Sequence, residues 1–360
     1  MREAVRLAQQ LKANNLQLQY AKFYTFAHVM KAIIPVAGIG TRLRPHTHTQ
    51  PKSLIPVAGK PIIAHIVDSL HNAGINEFIF IIGYLGDKIE SYITTHYPHN
   101  TNHFVIQTTG KGIGHAIWLA KDYIGDDDEV FIALGDTIFD TDLKKVLQSP
   151  YSTLGIKKVL DPRAFGVAQV DNNGFITSLV EKPLIPKSNQ ALIGAYYIKN
   201  GAKLKEALDY IIANNLRTNN EFHLTDALNY LIQNGYQFTV FDVDNWFDCG
   251  KKDILLETNA TLLRRFKPKM PEDEQFDSTI IIQPVFIAAG CKIRNSIIGP
   301  NVSIGENAII HNSIITNSII GPYAHLEFAI LEDSLIGNDA MLKGFVQSLN
   351  LGDSTEINFQ

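Results

Sequence analysis

The strongest constraint on the fold lies near the end of the chain. Ile287, Ile293, Ile298, Ile304, Ile310, Ile315, Ile320, Leu326, Leu331, Ile336 and Leu342 recur at steps of six or five residues. The five-residue steps coincide with near-copies: Arg-Asn-Ser-Ile, His-Asn-Ser-Ile, Thr-Asn-Ser-Ile and Glu-Asp-Ser-Leu. Gly299, Gly305, Gly321 and Gly337 each follow an aliphatic residue. Abundant β-branched residues and glycines resist a helix. The step is the hexapeptide signature of a parallel β-helix, with three short strands per coil and about four coils. Such a coil packs and forms oligomers, or carries a second active site of the acyltransferase kind. His311 and His325 stand isolated in it, so the packing role is the expectation; fold alone does not establish function.

A second landmark is Lys31–Pro61, KAIIPVAGIGTRLRPHTHTQPKSLIPVAGKP. Ala32–Ala37 reads as a buried strand. Gly38 and Gly40 then let the backbone approach a ligand closely or turn where a Cβ would clash. Arg42, Arg44 and Lys52 follow, interleaved with Pro45, Pro51 and Pro56. A glycine loop followed by cations suits a polyphosphate, with N–H groups cradling oxygens and long side chains neutralising charge. A dinucleotide fingerprint would need glycine where Leu43 stands, and a P-loop pattern is missing.

Downstream, Ile62–Ala73 has a helical pattern, Phe78–Ile82 is an apolar strand, and Asp87–His96 suits a helix. Phe104–Gln107 reads as a strand, Ile113–Lys121 as a helix, and Val130–Leu134 as a strand ending at Gly135-Asp136. This alternation predicts a doubly wound α/β sheet, whose ligands bind beyond the carboxyl ends of the strands. Gly38, Gln107 and Asp136 fall there. Asp136 is either a turn residue or a carboxylate for a hard cation. Gln107 carries both a donor and an acceptor, so it can pair with an imide edge, or it is a polar strand end.

The signature Gly38-x-Gly40-Thr41-Arg42-Leu43-Arg44-Pro45, then Pro51-Lys52-x-Leu54-x-Pro56-Val57-x-Gly59-Lys60-Pro61, resembles that of the sugar-1-phosphate nucleotidyltransferases, or nucleotide-sugar pyrophosphorylases. Within that family the chain is most similar to the long-form glucose-1-phosphate thymidylyltransferases, from about Met30 to the mid-340s. The resemblance implies a Rossmann-like nucleotidyltransferase domain followed by a left-handed β-helix. It implies Arg42, Lys52 and Lys182 as catalytic, and Ala37, Gly38, Gly40, Thr41, Gln107, Gly112 and Asp136 as nucleotide-binding. Gln107–Ala116 resembles a base-recognition loop and leans toward a pyrimidine. Phe165-Gly166-Val167, Val180-Glu181-Lys182-Pro183 and Ile193–Tyr197 resemble the sugar-phosphate half, with Gly166, Glu181, Lys182 and Gly194 as its residues. Trp246-Phe247-Asp248-Cys249-Gly250 resembles the family's Trp-x-Asp-x-Gly, and Asp136 with Asp248 would hold Mg²⁺. Thr137 stands where the family has Asn, which weakens any sugar contact inferred there. Cys249 lacks a His–acid pattern around it and does not read as a nucleophile. Thr225 or Asp226 reads as the cap of a helix reaching about Gln233.

The expected reaction joins a nucleoside triphosphate, dTTP or UTP, with glucose 1-phosphate in nucleotide-sugar biosynthesis for polysaccharides. The alternatives are a GTP:mannose-1-phosphate guanylyltransferase and a bifunctional nucleotidyltransferase/acyltransferase. At 360 residues the chain exceeds one hydrophobic core, which stops growing near ~250–300 residues. The expected division is an extension over 1–29, a catalytic domain over 30–266, a linker over 267–282, a β-helix over 283–347 and a tail over 348–360. Val5, Leu7, Ala8 and Leu11 could line a short helix in the extension. A net charge of −4 does not mark a nucleic-acid binder. No apolar run approaches the ~18 residues of a membrane span. Two cysteines suit a reducing, cytoplasmic compartment, and a homo-oligomer is expected.

Overall fold

The computed structural model describes residues 30–268 and 276–344. The expected helix within 1–29, part of the 267–282 linker and the 348–360 tail lie outside them. The described residues divide into two compact units, one of 30–38, 69–134 and 140–244, the other of 39–68, 135–139 and the described residues from 245 to 344.

The first unit is built on a nine-stranded mixed sheet. Its parallel part holds β1 (Met30–Pro35), β2 (Glu77–Ile82), β3 (Thr101–Ile106) and β4 (Glu129–Ala133) in the order β4-β1-β2-β3. Ile33 lies between Ile79 and Ile132 in register, and all three are fully buried. Near-continuous apolar strands of this kind belong to a sheet covered on both faces. Helix α1 (Ile62–Asn72) leads toward β2, α2 (Gly86–His96) follows it, and α3 (Ile113–Leu119) follows β3. β3 begins earlier than Phe104 because Thr101, Asn102 and His103 pair with Glu77, Phe78 and Ile79 along the sheet edge.

The remainder of the sheet departs from simple alternation. β5 (Gln190–Ile198) runs antiparallel to β4, and antiparallel to β6 (Ser152–Lys158) and β7 (Gly166–Val170). β7 pairs with β8 (Ile176–Glu181), and β6 pairs in parallel with β9 (Phe238–Asp242). Helices α4 (Gly201–Ala213) and α5 (Leu224–Gln233) bury Leu204, Ala207, Leu208, Ile211, Leu228 and Leu231 in the same core.

In the second unit, three stacked four-stranded parallel sheets form the expected β-helix. Ile287, Ile293, Ile298, Ile304, Ile310, Ile315, Ile320 and Leu326 point inward and are buried. The near-copies acquire a physical reason. Asn295, Asn312, Asn317 and Asp333 turn the corners at positive φ, a conformation that Asn and Asp tolerate better than other residues with a side chain. The serine after each relays hydrogen bonds between coils. The Ser296 hydroxyl donates to Arg294 O at 2.7 Å and accepts from Ser313 N at 3.1 Å, and Ser313 repeats the pattern with His311 O and Ala329 N. His311 and His325 are not isolated: their rings come within 6.5 Å, edge to face. Down one sheet, Ile280, Ile297, Ile314 and Ile330 form an outward column, with Ile330 82% exposed.

Helix α6 (Lys252–Phe266) joins the coil to the loop 39–68 through one buried side chain. Asn259 Oδ1 accepts from Ala58 N at 2.9 Å and from the Ser303 hydroxyl at 2.6 Å, and its Nδ2 donates to Asn301 O at 3.1 Å. Beside it, Gly59 (φ +84) accommodates the Phe286 ring, which a methyl group would meet at 2.6 Å. No helix among the described residues is long and apolar enough to cross a membrane. Replacing Asn259 with Ala leaves three partners without their bond at once, two of them buried. The expected loss is about 2–4 kcal/mol of stability in a urea titration, and Asn259→Asp should recover part of it.

Candidate active site

In the second unit a short antiparallel ribbon positions two carboxylates. Its strands are Thr137–Phe139 and Trp246–Asp248, with Asp248 opposite Thr137. Asp136 immediately precedes the first strand, and Cys249 N donates to Asp136 O at 2.9 Å. Backbone bonds thus hold the two acids beside each other. Lys52 Nζ lies 2.5 Å from Asp136 Oδ2 and 4.0 Å from Asp248 Oδ1. Burial, and after it the like charge of Asp136, raises the proton affinity of Asp248; Lys52, Arg42 and Lys251 oppose the shift. A carboxylate in that state gains from a cation beside it.

The loop after β1 holds the cations in place. Gly40 adopts φ +68, its carbonyl accepts from Thr47 Oγ1 at 2.8 Å, and a methyl group there would press on Lys52 Cβ at 3.0 Å. Thr41, Arg42 and Leu43 form one 3₁₀ turn, with Leu43 buried and Arg42 exposed. The Arg42 guanidinium rests against Gly250, where a methyl group would come within 2.6 Å of Nη2. The glycine of the Trp-x-Asp-x-Gly pattern therefore makes room for an arginine distant in sequence. The structure brings Arg42, Lys52, Asp136 and Asp248 together in one unit.

Two hard oxygen donors suit Mg²⁺, which takes one or two carboxylates and fills its shell with water and phosphate oxygens. Among the described residues no group of three or more His, Cys, Asp or Glu side chains could hold a metal. Cys249 is fully buried, and burial pushes its thiol up to about 12, which disqualifies it as a nucleophile.

In the first unit, Ala37 and Gly38 follow β1. Gly38 has open space where a side chain would be, while Gly83 is required because a methyl group would meet the Ala37 carbonyl at 2.9 Å. Gln107 follows β3, and its backbone N–H extends the ladder to Ile82 O at 2.8 Å. The loop beyond it is tied down by Phe222 N donating to Lys111 O and Gly114 N donating to Phe222 O, both at 2.8 Å. Gly112 (φ +99) would bring a methyl group to 2.4 Å from Phe222 O, so no side chain fits there. The Gln107 amide nitrogen reaches Gly112 O at 3.4 Å and His115 Nδ1 at 3.2 Å.

Glu181 ends β8 and Lys182 follows it. Glu181 Oε2 accepts from Thr225 Oγ1 at 3.0 Å, and Oε1 lies 3.7 Å from His223 Nδ1 and 3.8 Å from Lys182 Nζ. Lys182 adopts φ +43, which L side chains rarely do, and its N–H donates to Phe165 O at 3.0 Å. Gly166 faces Glu181 and Thr225, and Gly194 (φ +83) gives way to the Leu134 side chain. The helix cap expected at Thr225 or Asp226 is corrected. His223 is the N-cap without a side-chain bond, and Thr225 lies inside the first turn with its hydroxyl spent on Glu181. Thr225 and Gly250 are thus site residues whose roles the sequence reading missed; only their distant partners reveal them.

Residues 31–265 match the Nucleotidyl transferase family model. The chain is 30% identical to a glucose-1-phosphate thymidylyltransferase of Streptomyces antibioticus, covering 92% of this chain and 100% of that one. It is 32% identical to the low-salt glycan biosynthesis nucleotidyltransferase Agl11 of Haloferax volcanii, over 86% of this chain and 93% of the other. Among solved structures, a UDP-glucose pyrophosphorylase complexed with UDP-glucose superimposes with a TM-score of 0.59 at 25% identity, covering 66% of this chain and 99% of that chain. The protein belongs to the nucleotidyl transferase family.

Proposed function

We propose that the chain is a sugar-1-phosphate nucleotidyltransferase, converting a nucleoside triphosphate and a sugar 1-phosphate into a nucleoside diphosphate sugar and pyrophosphate. dTTP or UTP with glucose 1-phosphate is the pair we favour, in a soluble, cytoplasmic enzyme that assembles as a homo-oligomer. The observation that carries the reading is the carboxylate pair Asp136 and Asp248, with Lys52 in contact with both and Arg42 seated on Gly250. Relatives whose names describe this chemistry support it.

The sugar phosphate oxygen attacks the α-phosphorus in line, and pyrophosphate departs. No protein nucleophile takes part. Arg42 and Lys52 hold the triphosphate and neutralise charge on the leaving group, while the backbone at Ala37, Gly38, Gly40 and Thr41 cradles its oxygens. Gln107 and Gly112 receive the base. Gly166, Glu181 and Gly194 receive the sugar, and Lys182 holds its phosphate against repulsion from the triphosphate. Asp136 and Asp248 would hold Mg²⁺, which supplies charge neutralisation at the reacting phosphates.

Arg42→Ala and Asp248→Ala should each lower kcat at least 100-fold in a pyrophosphate-release assay without unfolding the chain. A folded and fully active Asp248→Ala enzyme would remove the metal assignment. Gly250→Ala should lower turnover, because the added methyl displaces the arginine and also presses on the Asp248 carboxylate at 3.0 Å. Asp248→Asn gives a separate readout in melting temperature. The folded state raises the affinity of this carboxyl for its proton, so ionising it costs stability as pH rises. The variant should melt higher than the parent at pH 7, with the gain shrinking as the pH falls toward 4.

A further inference from the structure

We infer that His115 is a positioning residue that fixes the amide of Gln107 with its oxygen toward the base, and so selects bases carrying a ring N–H. This rests on the base-reading role given above to Gln107. An amide nitrogen has two hydrogens, and a carbonyl oxygen can only accept. The Gly112 carbonyl at 3.4 Å therefore demands the nitrogen end of the Gln107 amide rather than its oxygen end. The second hydrogen points to His115 Nδ1 at 3.2 Å, which must then be an acceptor, with the ring proton on Nε2.

The surroundings favour that neutral form. Burial lowers the proton affinity of His115, and the positive charges of Lys111 and Arg217 lower it further. The imidazole is flanked by Trp118 at 6.0 Å and Phe222 at 6.3 Å, with Arg217 lying over the opposite partner, Phe222, at 4.5 Å. Phe222 is itself locked to Lys111 and Gly114 by backbone bonds. The ring is thus held by the same segment that shapes the glycine loop.

With both amide hydrogens engaged, the oxygen is what Gln107 offers a ligand. An acceptor pairs with N3–H of thymine or uracil, or with N1–H of guanine. It opposes the lone pair at N3 of cytosine and at N1 of adenine. A site whose buried polar group is mismatched discriminates strongly.

The test compares kcat/KM for UTP and CTP, with glucose 1-phosphate, in the parent and in His115→Leu. Freeing one amide hydrogen lets Gln107 turn over, so the UTP-to-CTP ratio should fall at least tenfold, with part of the change a gain for CTP. His115→Gln, which can again place an acceptor beside the amide, should restore most of the ratio and guards against a folding defect in the leucine variant. A purely structural role would lower both rates together and leave the ratio alone; that outcome overturns the inference, as does a parent enzyme that uses UTP and CTP equally. Calorimetric binding of UTP and CTP reads the same ratio without turnover. Absence of turnover with every nucleotide would overturn the proposed function, whereas an unchanged binding ratio would overturn the role of His115.

Discussion

Two negative charges kept side by side set the terms for the unit that holds Asp136 and Asp248. Unit charges 4 Å apart interact by about 1 kcal/mol in water and about 4 kcal/mol near a protein surface. The ribbon and the bond from Cys249 N to Asp136 O prevent the two carboxylates from separating. Their charge is met instead by Lys52, which touches both, and by Arg42 nearby. What lies behind them is correspondingly rigid: Gly40 packs on Lys52, Gly250 under Arg42, and Asn259 fastens the loop to helix α6 and to the coil. Packing in this unit holds an arrangement that its electrostatics would relax.

Glu181 and Lys182 are organised differently. Glu181 is oriented by a neutral hydroxyl, that of Thr225, with His223 at longer range. Lys182 sits beside it in a left-handed conformation, kept there by its bond to Phe165 O. Strain of that kind persists where the surroundings over-determine it, and it gathers at sites that bind ligands. One part of the molecule thus fixes charges by backbone pairing, the other by side-chain contacts to a helix start.

Much of the fold was legible in the chain because it rests on periodicity. Aliphatic residues five and six apart admit few alternatives to a three-sided coil, and apolar runs such as Phe78–Ile82 mark covered parallel strands. The site was legible where residue type and loop chemistry coincide, as in Gly38 to Lys52. It was illegible where a role depends on a distant partner. Thr225 looks like a helix cap from its neighbours alone, and only the approach of β8 shows that its hydroxyl serves Glu181. Gly250 looks like a turn glycine until Arg42 arrives against it. The antiparallel pairing around β5 was not legible, because pairing across long separations leaves little local trace.

The unit that holds the two carboxylates is threaded from three stretches, 39–68, 135–139 and 245 onward. Arg42, Lys52, Asp136 and Asp248 all belong to it, whereas Gly166, Glu181, Lys182, Gly194 and Thr225 fall within the intervening 140–244. Recombination at the two borders of that interval would exchange those five residues between relatives as a cassette and carry over none of the four charges. The order in which the polypeptide visits its two units keeps those five residues on one continuous stretch, apart in sequence from the four charges.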